Sequence, residues 1–383
     1  MLVQIINGNI LTPSGWVSDG SLLICDQKIL EVTNSDLMVI GAKVIDAKGM
    51  YIVPGFIDIH AHGGAGFDFK EATEEAYIEA SKAHLMKGST TMFPTLSSAS
   101  ITDIEKAIAI CESLAKNEES TICGLHIEGP YLNPRMAKYV KEEHLLEEKE
   151  YKRIAESTDC IKRWDISPEL HGALDFARYM KKRGIVTAIT HTEAEYERVR
   201  DAYEAGFTHA AHFYNAMPGF HKRGEFKYEG TVESVYLIDD MTVEIIADGH
   251  HLPDTIIRLV HKLKGVERTC LITAALAWTE YKGDKSKIDS RVIIEDGVCK
   301  LSDHSALAGS IATMSDLVRN VAKNAKIPLE DAVRMATETP AKLMGIYDKK
   351  GSLEKGKDAD IVILDNNLNV HNVWSMGKLI VEK

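Results

Sequence analysis

Over 383 residues the chain carries 45 Lys and Arg against 57 Asp and Glu, a formal charge of −12 at pH 7. That balance argues against a nucleic-acid or anionic-membrane surface. With 45% hydrophobic residues a large core can form, and the length suits one catalytic domain with a small companion. The opening Met1–Gly8 stretch has no charged segment running into a long apolar one, and no stretch reaches the roughly 18 apolar residues of a membrane span. A cytoplasmic protein without membrane contact is expected. The six cysteines are scattered with no C-x-x-C pair, which favours reduced thiols over a disulfide frame.

Residues 1–53 hold short β-like runs (Leu2–Ile6, Ser21–Cys25, Lys28–Val32, Lys43–Asp46) broken by Gly, Asn, Asp and Pro. The same texture returns near the carboxyl end, where Ala359–Leu364 and Val373–Val381 read as two more strands. Neither end has enough strands to close a core, so the two are expected to pair as one small β-sandwich, residues 1–53 and 346–383, around a central domain of residues 54–345.

That central region alternates apolar strands with amphipathic helices. Eight strand-like runs are Tyr51–His60, Ser89–Thr95, Ile122–Glu128, Ile161–Ile166, Val186–Thr192, Phe207–His212, Val243–Asp248 and Thr269–Ala274. Helical stretches such as Glu71–Lys87, Ile101–Lys116, Pro168–Lys182 and Ala194–Ala205 fill the gaps. The pattern predicts an α/β fold, a (β/α)8 TIM barrel, whose active-site groups sit at the carboxyl ends of the strands. A doubly wound open sheet is the alternative; no Gly-x-Gly-x-x-Gly follows a strand to support it.

Polar residues recur at one end of these strands: His60 and His62 after the first, His126 and Glu128 on the third, His191 on the fifth, His209 and His212 on the sixth, and Asp248-Gly249-His250-His251 on the seventh. Residues i and i+2 of a strand share a face, and neutral imidazole is a common ligand for zinc or iron, so His60-x-His62 can grip one ion. Structural histidines would not be sorted to one end of successive strands.

The segments Pro54-Gly55-Phe56-Ile57-Asp58-Ile59-His60-Ala61-His62-Gly63-Gly64, His126-Ile127-Glu128-Gly129-Pro130, His212-Phe213-Tyr214-Asn215-Ala216-Met217-Pro218, Ala247-Asp248-Gly249-His250-His251 and Leu307-Ala308-Gly309-Ser310 together resemble the N-acetylglucosamine-6-phosphate deacetylase family of the amidohydrolase superfamily. The resemblance spans nearly the whole chain. It implies hydrolysis of the acetamide of N-acetylglucosamine 6-phosphate to glucosamine 6-phosphate and acetate, in amino-sugar catabolism. It also implies that Glu128, His191 and His212 hold one divalent ion, zinc or iron, with His60 and His62 holding a second or lining the site. Asn215, the backbone of Ala216, Arg223 and His251 match the family's sugar-phosphate contacts. The family is typically a homodimer in which that arginine reaches the neighbouring subunit's phosphate.

Two departures stand out. Where the family carries Lys-Gly-Ala-His after the Glu-Gly-Pro segment, this chain reads Arg135-Met136-Ala137-Lys138-Tyr139-Val140. His144 is a candidate replacement, although it suits a surface better, and an N-acetylgalactosamine 6-phosphate or another N-acyl substrate stays open. Ala274 occupies the position of the family's general acid–base aspartate, and a methyl group cannot accept a proton. The chain is therefore expected to be disabled, through an Asp→Ala change made to trap substrate, which we favour, or as a sugar-phosphate-binding paralogue without turnover. An amidase for N-acyl amino acids or cyclic amides is a further alternative, disfavoured by the Asn215-Ala216 and Arg223 elements.

Overall fold

The computed structural model describes residues 1–34, 39–137, 144–284, 288 and 290–383. Its central region contains strands β1 (Phe56–Ala61), β2 (Ser89–Ser97), β3 (Leu125–Glu128), β4 (Ile161–Asp165), β5 (Thr187–Ile189), β6 (Phe207–Ala210), β7 (Thr242–Ile245) and β8 (Thr269–Leu271). Parallel ladders join β1 through β4 in order, and β5 through β8 likewise. Parallel bridges Arg163↔Val186 and Ile166↔Ile189 connect the two halves. The ring closes where the Ala274 amide donates to the His60 carbonyl at 2.8 Å and Thr273 Oγ1 donates to Asp58 Oδ2 at 2.6 Å. This is the expected (β/α)8 barrel.

Alternation along β1 shows how the barrel assigns its faces. Ile57 and Ile59 pack outward with Phe93, Cys270, Ile272 and Ala341, which leaves Asp58 and His60, both fully buried, facing inward. The helices cover the outside. Helix α1 (Glu74–Leu85) occupies most of the predicted Glu71–Lys87 stretch, and α2 (Ile101–Leu114) most of Ile101–Lys116. Ser100 caps α2 by accepting from the Asp103 amide, and Ile104, Ala107, Ile108 and Cys111 form its buried stripe at i, i+3, i+4 and i+7.

Strands from both chain ends form a separate eight-stranded sheet. Within it Tyr51–Pro54 runs antiparallel to Ile361–Leu364, pairing Val53 with Val362. Its core gathers Ile5, Ile24, Ile52, Ile361, Ile363 and Trp374.

Two expected boundaries move. The apolar run Tyr51–His60 is two strands: Tyr51–Pro54 belongs to the terminal sheet and only Phe56 onward to the barrel. Gly55 marks the crossing, since a Cβ there would lie 2.1 Å from Thr90 Oγ1. The run Val373–Val381 is a hairpin of Val370–Ser375 and Lys378–Val381, turned at Met376 (φ 48) and Gly377 (φ 73).

Candidate active site and metal centre

Because β1, β3, β5 and β6 run parallel, their carboxyl ends bring five ligand-type side chains together. Glu128 Oε1 lies 3.3 Å from His191 Nε2 and 3.1 Å from His212 Nε2, and 4.0 Å from His60 Nε2. The candidate ligand atoms of Glu128, His191 and His212 all lie within 4.8 Å of one another, as do those of His60, His62 and Glu128. Glu128 is therefore common to two adjacent groups. It is 2% exposed, His60 is fully buried, and His191 and His212 are 8% and 7% exposed.

The donor set suits a divalent cation. Among the described residues His60 Nε2 and His62 Nδ1 are buried with no hydrogen-bond partner, an arrangement that costs free energy unless another partner is supplied. Burial, reinforced by the neighbouring His60, pushes the His62 imidazole down to about 3, leaving its lone pair free at neutral pH. Burial alone would raise Glu128, but hydrogen bonds from His191 and His212 and the neighbouring His60 hold it well below the usual carboxylate range. A buried carboxylate flanked by imidazoles offers the oxygen and nitrogen donors that zinc and iron take.

The backbone here is unusual. His191 (φ 42), His212 (φ 29), Tyr214 (φ 77), Ala216 (φ 52) and Ala274 (φ 45) all lie in the left-handed region, which costs non-glycine residues energy and concentrates at functional sites. Specific contacts hold these conformations. The Thr192 amide donates to the Ala216 carbonyl at 3.1 Å and the Phe213 amide to the Glu244 carbonyl at 2.7 Å, while the His212 amide donates to Glu244 Oε1 at 3.1 Å.

The proposed substrate residues stand as follows. Asn215 follows His212, and its carbonyl faces His212 Nδ1 at 3.0 Å. Arg223 sits on a hairpin of His221–Arg223 and Phe226–Tyr228, more than half exposed, 2.8 Å from Glu195 Oε1 and 3.8 Å above the Tyr228 ring. His251 Nδ1 bonds Asp248 Oδ2 at 2.8 Å. Ala274 is 7% exposed and offers no proton acceptor in its side chain. His144 pairs with Glu150 at 3.0 Å and is substantially exposed, in keeping with a surface role; Lys138–Val140 of the departing segment lie outside the described residues.

The structure also assembles a group that sequence reading missed. Arg163 on β4 donates its Nε to Asp165 Oδ1 at 2.9 Å and an Nη2 hydrogen to Glu244 Oε1 at 2.9 Å, and pairs further with both carboxylates. All three are fully buried. Two histidines thought to mark strand ends belong here instead: His126 Nε2 bonds Asp165 Oδ2 at 2.9 Å, and His209 Nε2 bonds Glu244 Oε2 at 3.2 Å. Burial, helped by the Arg163 charge, pushes His126 down to about 4. For Asp165 burial is outweighed by Arg163 and His126, which hold it below its usual range. The available signal was a charge at alternate positions of an apolar barrel strand, Arg163-x-Asp165, and a lone acid inside Val243–Ala247.

Residues 51–380 match the amidohydrolase family model. An N-acetylglucosamine-6-phosphate deacetylase from Vibrio furnissii is 32% identical over 86% of this chain and 83% of its own length. An N-acetylgalactosamine-6-phosphate deacetylase from Escherichia coli O157:H7 is 29% identical over 97% of both. Among solved structures, an aspartate-to-alanine mutant of the Mycobacterium smegmatis N-acetyl-D-glucosamine-6-phosphate deacetylase, in complex with N-acetyl-D-glucosamine-6-phosphate, superposes with a TM-score of 0.89 at 28% identity, covering 99% of each chain. With the barrel, the paired Glu128 groups and this family match over most of its length, the chain belongs to the amidohydrolase family.

Proposed function

We infer that this site is built to hydrolyse the acetamide of N-acetylglucosamine 6-phosphate to glucosamine 6-phosphate and acetate, and that alanine at position 274 leaves it able to hold this substrate while turning it over slowly. The observation that carries the reading is the carboxylate of Glu128 shared between His60–His62 and His191–His212 at the barrel's carboxyl end, in a chain similar over almost its full length to deacetylases of this type. One or two zinc or iron ions held by Glu128, His191, His212, His60 and His62 would supply Lewis-acid polarisation of the acetyl carbonyl and an acidified water.

The chain's own groups do the rest. The loop of Asn215 and Ala216, with His251 oriented by Asp248, presents amide and imidazole donors to the sugar phosphate. Arg223 suits a phosphate through its planar fork. Its place on a hairpin flanked by Phe220 and Phe226, 63% and 69% exposed, fits a homodimer in which it reaches the neighbouring subunit's site. Hydrolysis adds water to the acyl carbon and breaks the C–N bond, so the amine must leave carrying a proton. Ala274 can neither take that proton from water nor return it. A cytoplasmic location fits the six free thiols, and among the described residues no helix is long and apolar enough to cross a membrane.

The test is acetate release by the metal-loaded chain and its Ala274→Asp variant, with N-acetylglucosamine 6-phosphate, its galacto epimer and unphosphorylated N-acetylglucosamine. The variant should exceed the parent by at least about a thousandfold at saturation, near the upper end of general acid–base contributions, and only on a phosphorylated sugar. Equal rates would remove the role given to position 274; a preference for the galacto epimer would reassign the substrate.

A further inference from the structure

Inside the barrel, five donor atoms from four residues converge on one carboxylate. Glu244 Oε1 faces His60 Nδ1 at 2.7 Å, the His212 amide at 3.1 Å and Arg163 Nη2 at 2.9 Å; Oε2 faces His209 Nε2 at 3.2 Å and pairs with Arg163 Nη1. An ionised carboxylate only accepts hydrogen bonds, so His60 must donate from Nδ1. In a neutral ring, which carries a single N–H, Nε2 is then the lone-pair nitrogen. That atom lies 4.0 Å from Glu128 Oε1 and has no hydrogen-bond partner among the described residues. The same oxygen that fixes the His60 ring also receives the amide of His212, whose left-handed backbone (φ 29) needs such a restraint. One side chain thus grips a member of each group around Glu128.

Arg163 keeps this arrangement in place by bridging Glu244 to Asp165. Asp165 in turn accepts from His126 Nε2 at 2.9 Å, which leaves His126 Nδ1 to accept from Thr95 Oγ1 at 2.9 Å. Thr95 Oγ1 accepts the Ala61 amide at 3.0 Å, the peptide between His60 and His62. Both arms of the network therefore end on the His60-x-His62 segment, one at a ring and the other at the backbone.

We propose that Glu244, clamped by Arg163, is a positioning residue that presents His60 Nε2 and the His212 backbone to a divalent metal and so sets the metal affinity of the site. A carboxylate that orients a ligating imidazole through its other ring nitrogen is a general means of tuning metal binding. Here the carboxylate lies wholly within the barrel and is itself held by a buried guanidinium. The proposal rests on the metal reading above.

The test compares the full chain with Glu244→Gln, loaded with Co2+ alone. Chelator competition and the visible ligand-field spectrum are read on the monodisperse fraction. Glutamine keeps the shape but no longer compels His60 to donate, so Co2+ affinity should fall by about 10–100-fold, the usual cost of losing such a partner, with an altered spectrum. A merely structural role would lower stability and leave the spectrum and affinity of the folded fraction unchanged, which would overturn the proposal. If the unmodified chain binds no Co2+, the metal reading fails instead. Should Glu244→Gln not fold, the unmodified chain decides. In apoprotein carrying 15N-histidine, the resonance lost in His60→Gln should report a proton on Nδ1, whereas a proton on Nε2 would overturn the assignment.

Discussion

Replacing Arg163 by methionine tests how the barrel tolerates charge in its interior. Methionine keeps much of the length and apolar stem but removes the only cation touching Asp165 and Glu244 among the described residues, all three groups being fully buried. Two carboxylates would then share a space whose other hydrogen-bond partners are three imidazoles and the His212 amide. The least costly escape is to fold with one of them protonated. Carrying a carboxyl of ordinary pKa, about 4, in its acid form at pH 7 costs about 3 pH units at about 1.36 kcal/mol each, or about 4 kcal/mol. This agrees with the roughly 3–5 kcal/mol lost when one member of a buried ion pair is removed.

The pH dependence gives the sign. In the parent chain Asp165 is held below its ordinary range, with burial overcome by Arg163 and His126, so its contribution is present above about pH 4 and is lost as pH falls through the depressed value. In the variant a carboxyl is raised, so stability is retained below about pH 4 and declines as pH climbs. The deficit of Arg163→Met should therefore be about 4 kcal/mol at pH 7 and shrink to about 1–2 kcal/mol at pH 5. Urea unfolding of the metal-free chains at both pH values measures it. A deficit under about 1 kcal/mol at pH 7, or one that does not change with pH, would refute the electrostatic account.

Glu128→Ala and His191→Ala should each cut divalent metal content measured by elemental analysis, and abolish most of the fall in thermal midpoint that a chelator produces in the parent, since an ion bound only by the folded state stabilises it. Arg223→Ala should weaken a phosphorylated sugar by about 1.5–3 kcal/mol in calorimetry and leave the unphosphorylated analogue unaffected; equal losses would make the arginine structural, through Glu195 and Tyr228. Lys264, 2% exposed and donating to the Ile238 carbonyl at 2.7 Å, is pushed down to about 8 by burial. Between about pH 8 and 10.4 the unfolded chain holds a proton that the native state has released, so stability should rise with pH there relative to Lys264→Met.

The barrel was legible because each of its strands is a short apolar run followed by a helical period, and those features survive any tertiary arrangement. The gathering of His60, His62, Glu128, His191 and His212 was legible for the same reason, since parallel strands deliver their carboxyl ends to one place. The split of Tyr51–His60 was not. Both halves are apolar, and what separates them is pairing with distant strands, Tyr51–Pro54 with Ile361–Leu364 and Phe56 onward with Ser89–Ser97. Arg163, Asp165 and Glu244 escaped notice because charges in a sequence look solvated. Their meaning depends on strands far apart in the chain pointing them at one another, which no local period encodes.

The pairing of Tyr51–Pro54 with Ile361–Leu364 also constrains how the molecule can be made. A ribosome adds about 5–20 residues per second, and about 300 residues separate these partners. The amino-terminal strands therefore wait roughly 15–60 s with one edge uncovered while the barrel between them is being made. During that interval the exposed edge is a template for other chains. Slow translation or crowding of nascent chains should therefore raise aggregation through this edge, and a separately supplied segment carrying Ile361–Leu364 should suppress it.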